Sequence, residues 1–300
     1  LDETGLDPTG AVSAARTRAA EQEKAAAADV RQAQAAVPVP ALQNSEDFVA
    51  ALRARGGADS DRIGRNFAAL AAFVKGASAR MGIAEPRLLV DTTAQSRYAA
   101  GMAAASPNKS GTLYFMIVDG KRLAEILASE RDLDWFKVIV CHEMDHIKRG
   151  DVTPAALGAP SDPDRIESQE VRADIEGGYY AGDPAPMAAY FKAELIADAA
   201  KCKAAAPEAP AFKAFDPSRP TAEQIRQGSA WRKEQDPLHA EPLERYFVFA
   251  RLAEMAANGS AGTVEDVAAE NGPLRKAVRR EMQDRSLPDW SGTASADGTR

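Results

Sequence analysis

The stretch Val138-Ile139-Val140-Cys141-His142-Glu143-Met144-Asp145-His146-Ile147-Lys148-Arg149-Gly150-Asp151 decides how this chain is read. It contains His-Glu-x-x-His. A helix turns about 100° per residue, so His142 and His146, four apart, share a face with Glu143 beside them. Two neutral imidazoles on one face suit Zn2+, and a neighbouring carboxylate can take a proton from a water that the ion activates. The helix is expected to start at Asp132 or Asp134 as cap and to bury Trp135, Phe136, Ile139 and Val140. Gly150 ends it. Lys148 and Arg149 fall in the last turn, where the helix dipole favours positive charge. A bare His-Glu-x-x-His also fits an amphipathic helix with partly buried histidines, so the rest of the chain has to decide.

Three hundred residues suffice for one large domain or two small ones, each with a core. A net charge of −7 argues against a general nucleic-acid binder, which carries a basic footprint. The longest apolar runs are about six residues, far short of the roughly 20 that span a bilayer, so no integral membrane segment is expected. The chain begins with Leu1, and the expectation is a trimmed N-terminus, with an exported or periplasmic location favoured over a cytoplasmic one. Cys141 and Cys202 imply no disulfide framework. Cys141 points about 100° away from His142 on a helix, so it reads as a small buried hydrophobe and not as a ligand.

Along the chain, residues 1–40 are Ala-rich with few large apolar groups, which predicts a frayed helix or disorder. A metallopeptidase domain is expected over 41–284 and a disordered tail over 285–300. Helices are predicted from a cap at Asn44 or Ser45 through Leu52 to Gly56, from about Ser60 to Arg80 ending at Gly82, and through Leu123, Ile126 and Leu127. Strands are predicted at Arg87–Val90 and Thr112–Val118, with a loop over 96–110 and a turn at Asp119-Gly120. Beyond the motif, Asp162-Pro163 starts a helix that Gly177-Gly178 weakens and Gly182-Asp183-Pro184 breaks. A helix through Met187, Tyr190, Phe191 and Leu195 follows, then a loop over 204–222. Two further helices are expected, over Leu243–Ala257 and Val264–Gln283.

A catalytic zinc site needs a third protein ligand and an open position. The chain has three histidines, so a third imidazole could come only from His239. Glu170-Val171-Arg172-Ala173-Asp174 offers a carboxylate instead. Glu170 would bind the metal, while Asp174, one turn later on the same face, would accept the ring N–H of a ligand histidine. Glu167 and Glu176 on the same helix are assigned to solvated positions.

The order of these pieces resembles the zinc metallopeptidases typified by the type I CAAX prenyl protease and the bacterial heat-shock protease HtpX, a branch of the gluzincins. Those proteins place a His-Glu-x-x-His helix after an edge strand and a helix. A helix bearing Glu-x-x-Ala-Asp follows, then a Gly-x-Asp-Pro break. Here Thr112–Val118, His142–His146, Glu170–Asp174 and Ala181-Gly182-Asp183-Pro184 come in that order. Family members also carry a His-Pro and a nearby Arg; the counterpart is Pro237-Leu238-His239-Ala240-Glu241-Pro242 with Arg245, where the His-Pro is interrupted. The resemblance covers roughly residues 85–255. The best-known members span membranes and this chain does not, so prenylated substrates do not carry over.

The resemblance implies a mostly helical α+β fold, a zincin-like metallopeptidase domain with a small sheet and the His-Glu-x-x-His active-site helix. It implies a zinc-dependent endopeptidase with one Zn2+ per chain, held by His142, His146 and Glu170, with Asp174 behind a histidine. Glu143 is then the general base, and a protein or peptide substrate lies along the edge strand Thr112–Val118. Tyr179, Tyr180, Tyr246 and His239 are candidates for stabilising the oxyanion. Two rival readings keep the fold: a non-catalytic zinc-binding regulatory module, and a delivered effector or toxin metalloprotease. The intact Glu143 argues against the first, since a structural site has no use for that carboxylate.

Overall fold

Ahead of the motif helix the chain runs as a strand, two helices, three strands and a further helix. The computed structural model describes residues 42–57, 59–93, 104–107, 113–152, 162–236, 239–260, 262–269 and 272–283. The Ala-rich segment and the tail lie outside these residues. The described chain is mostly helical with a small sheet, as expected for an α+β protein. It divides into two units: residues 42–152 with 172–186, and residues 162–171 with 187–283.

In the first unit, β1 (Leu42–Asn44), α1 (Ser45–Ala54), α2 (Ser60–Met81), β2 (Arg87–Asp91), β3 (Ala104–Pro107), β4 (Tyr114–Asp119), α3 (Gly120–Leu127) and α4 (Glu130–Arg149) follow in order. The strands form a sheet in the order β1-β2-β4-β3. Strands β2 and β4 are parallel, Leu89 opposite Ile117, and β1 and β3 add to them antiparallel. Met116, Ile117 and Val118 are all buried, which is why this run is apolar without alternation.

Three expectations need correction here. The strand at 114–119 is paired on both sides and is not an edge; among the described strands the edges are β1 and β3. Ala104-Ala105-Ser106-Pro107 was expected within a loop because small residues and proline are poor strand formers. A proline at the end of an edge strand sacrifices little pairing, and here Pro107 pairs opposite Tyr114. Asp119-Gly120 is likewise not a turn. Asp119 caps α3, its Oδ1 accepting the Arg122 N–H at 2.8 Å.

Helix α4 carries the motif and packs on α2, α3, β3 and β4. It begins a turn earlier than the sequence suggested, with Ser129 as cap accepting the Asp132 N–H. Leu133, Phe136, Val140, Met144 and Ile147 are buried along it. Gly150 ends it in the left-handed region at φ 76°. That reversal sends the Asp151 N–H back to the His146 carbonyl at 3.0 Å, a Schellman closure that only glycine makes without strain.

Helix α5 (Pro163–Ala181) runs through both units, residues 163–171 counted with the second and 172–181 with the first. Gly177 and Gly178 do not interrupt it. Gly182, at φ 83°, does. Asp183 then accepts the Ala185 N–H at the start of α6 (Ala185–Ala205).

The second unit continues with a short 3-10 turn at Pro210–Phe212, α7 (Ala222–Gln235), α8 (Pro242–Ala257), α9 (Val264–Ala268) and α10 (Pro273–Gln283). Phe191 stacks on Phe249 with ring centroids 5.6 Å apart. Gly228 of α7 allows close approach to α6: a Cβ there would stand 2.6 Å from the Ala199 backbone. Helix α7 was not anticipated, and the block expected over 264–283 is two helices. Among the described residues no helix is long and apolar enough to cross a membrane.

Candidate metal centre

His142 and His146 stand four positions apart, and α4 presents both rings to one point. Both are buried, and their Nε2 atoms lie 3.2 Å apart. Each Nδ1 faces a carboxylate: His142 Nδ1 is 3.0 Å from Asp174 Oδ1, and His146 Nδ1 is 3.1 Å from Asp151 Oδ2. An ionised carboxylate can only accept, so each Nδ1 is the N–H donor. In the neutral form of each ring the lone pair is thereby left on Nε2, and the two Nε2 atoms face each other.

Glu170 precedes Asp174 by one turn on the same helix, so α5 itself fixes where its carboxylate stands relative to that histidine partner. One donor atom from each of His142, His146 and Glu170 lies within 4.8 Å of the other two. Two acceptor lone pairs and a carboxylate brought together in a mostly buried place suit a cation. The group can hold a metal ion, and Glu143 is not one of its donors. Glu143 Oε2 instead accepts the Ala105 N–H of edge strand β3 at 2.9 Å.

Cys141 is fully buried, and burial pushes its thiol up to about 12, so it remains protonated and inert at neutral pH. This agrees with its reading as a hydrophobe. His239 was assigned no firm role by its interrupted motif. It is turned by Asp236, 2.9 Å from its Nδ1, and its Nε2 lies 3.4 Å from Glu170 Oε2. Burial alone would raise the Asp236 carboxyl, but the His239 hydrogen bond and the Arg232 and Arg245 charges hold it below its ordinary value. Glu167 is half-exposed and pairs with Lys233 at 3.0 Å.

Glu176 corrects another expectation, since it is not solvated. It is 1 % exposed and takes Arg149 and Lys148, the latter at 3.2 Å. Lys148 also donates to the Tyr180 hydroxyl at 2.9 Å. Asp145, fully buried in the motif itself, adjoins Glu176. Burial and that neighbouring carboxylate push Asp145 up to about 6, against the pull of Arg172. Arg172 spans from Asp145 Oδ2, at 3.2 Å, to Asp151 Oδ2.

Three contributors were missed in the sequence. Asp151 could have been found from the glycine before it, since a left-handed cap folds the next residue back over the last turn. Arg172 sits two residues from both Glu170 and Asp174, on the adjoining stripe of α5. Gly177 is seven residues after Glu170, on the same stripe as Asp174, where a glycine signals close approach of a neighbouring backbone.

No protein-family profile, curated protein or solved structure matches the chain. The site is therefore read from its own geometry.

Proposed function

We propose that this protein is a zinc-dependent endopeptidase with a zincin-like catalytic unit. The observation that carries the reading is the separation of roles along one helix turn. His142 and His146 converge with Glu170 as donors, while Glu143 stands apart with its carboxylate against the edge strand.

The donor set fits zinc. Two imidazoles bound at about 2.0–2.1 Å to one tetrahedral ion have nitrogens about 3.3 Å apart, close to the 3.2 Å between the two Nε2 atoms. Two histidines and one glutamate leave one tetrahedral position open, as a catalytic site requires. When bound, the ion supplies a Lewis acid for the scissile carbonyl and lowers the pKa of water.

The chain's own residues do the rest. Asp174 and Asp151 hold the imidazole rings in the tautomer that frees Nε2. Glu143 accepts the proton of the attacking water and returns it to the leaving amine. A peptide substrate adds as a strand alongside β3, an outer strand of the sheet among the described residues, which brings its backbone to the N–H that Glu143 now holds. His239, oriented by Asp236 beside Glu170, is assigned to the oxyanion or to substrate.

Glu143→Gln tests the reading. It should retain about one zinc per chain and lose casein hydrolysis by at least about 100-fold, the lower end for a general base. Unchanged proteolysis, or wild-type protein that cannot be loaded with metal, overturns it.

A further inference from the structure

Arg172 lies between the two residues that give α5 its role, and its guanidinium reaches neither a histidine nor Glu170. Its Nε donates to Asp145 Oδ2 at 3.2 Å, and its terminal nitrogen donates to Asp151 Oδ2. That same Asp151 oxygen is the one 3.1 Å from His146 Nδ1. We propose that Arg172 is a positioning residue for His146, clamping Asp151 against the ring and tying that clamp to Asp145 of the motif helix. The proposal rests on the metal-site reading given above.

The two histidines are held in unequal ways. His142 is oriented by Asp174, a residue fixed within a helix and almost fully buried. His146 is oriented by Asp151, which stands beyond the end of α4 after the glycine reversal and keeps 11 % side-chain exposure. A carboxylate at such a place has rotamers that turn it toward water. The planar guanidinium removes that freedom. It holds the same Asp151 oxygen that faces the ring, and its other arm is anchored on Asp145, whose side chain has no exposure at all.

A contrary effect makes the test sharp. Arg172 is positive, and it draws electron density from Asp151, which weakens that carboxylate as an acceptor for the ring N–H. If charge were its whole influence, removing it would make His146 the better ligand. If positioning dominates, removing it makes His146 the worse one. The sign of the change separates the two.

The experiment uses the full chain as Arg172→Met, Arg172→Lys and Arg149→Met. Arg149 contacts the same Asp145–Glu176 network but is not among the partners of Asp151. Lysine keeps the charge but cannot span both carboxylates as the fork does. Two quantities are read: Zn2+ affinity by chelator competition, and the imidazole N–H signals of the metal-free protein by 15N NMR, with three histidines to assign.

Both Arg172 variants should bind Zn2+ about 10–100-fold more weakly, the usual effect of losing an outer-shell partner. They should also lose the slowly exchanging Nδ1–H signal of His146 and keep that of His142. Arg149→Met should leave both readouts as in wild type. Zn2+ binding that is unchanged or tighter overturns the proposal, and so does a retained His146 Nδ1–H signal, whatever the affinity does. Should Arg172→Met fail to fold, Arg172→Lys carries the decision. Wild-type protein that binds no Zn2+ defeats the endopeptidase reading, while the metal-free spectra still decide the role of Arg172.

Discussion

Gly177 meets the backbone of His142: a Cβ at Gly177 would stand 2.7 Å from the His142 nitrogen and 2.8 Å from its Cα. Helix α5 thus presses on α4 at the residue that begins the donor set. The opposing atoms are backbone and cannot rotate away. Gly177→Ala should therefore destabilise the fold by about 1–3 kcal/mol, the range for overpacking, and should weaken metal binding with it. Gly228→Ala is the comparison, because it makes an equally close clash with Ala199 in the other unit. It should cost stability in urea unfolding while metal affinity stays at the wild-type value. Equal metal affinity in both variants would mean that the α4–α5 crossing does not set the site.

The acidic residues of α5 should separate by role. Glu170→Ala should lose metal about as severely as His142→Ala or His146→Ala. Asp174→Ala, which removes only the carboxylate behind His142, should weaken it by about 10–100-fold. Glu167→Ala should keep metal and activity, because Glu167 pairs with Lys233 and belongs to no donor group. Metal analysis after dialysis reads all three. Loss in Glu167→Ala with retention in Glu170→Ala would shift the ligand register.

Acid and alkali should act on Asp145 in a direction opposite to that of an ordinary ion-paired carboxylate. Its pKa rises from 3.8 to about 6 in the folded protein. The folded state then holds this proton more tightly than the unfolded chain does. The contribution to stability is present below about pH 4 and is lost as pH rises through about 6. Asp151 works in reverse: its lowered pKa stabilises above the ordinary value and fails as pH falls. Urea unfolding of metal-free wild type and Asp145→Asn from pH 4.5 to 7 should show wild type losing stability relative to the variant as pH rises to about 6, with the two profiles parallel above it. Profiles parallel over the whole range would remove Asp145 as a proton holder.

What could be read beforehand was whatever depends on helical period. The histidine pair, Glu170 with Asp174, and the Gly82 and Gly150 stops all follow from spacing and left-handed caps, and the structure has them where spacing put them. What escaped depends on partners distant in sequence. Strand β3 is Ala-Ala-Ser-Pro, and its pairing comes from β4, not from its own propensity. Helix α7 buries little more than Gln224, Ile225, Gly228 and Ser229, too weak a stripe to count, although the Thr221–Gln224 capping box marked its start. Glu176 was taken for a surface acid because nothing local distinguishes it from Glu167. Only the arrival of Arg149 and Lys148 from another helix makes it an interior one.

Helix α5 carries Glu170, Asp174 and Gly177 on one stripe, with Arg172 and Glu176 on the next. Adding or deleting one residue anywhere between Glu170 and Gly177 would rotate everything beyond it by about 100°. Such a change would barely alter composition or helix propensity, yet it would always put the third donor out of phase with the contact glycine, and the histidine partner out of phase with one of them. Natural and engineered variants should therefore accept many replacements in this segment and almost no change in its length.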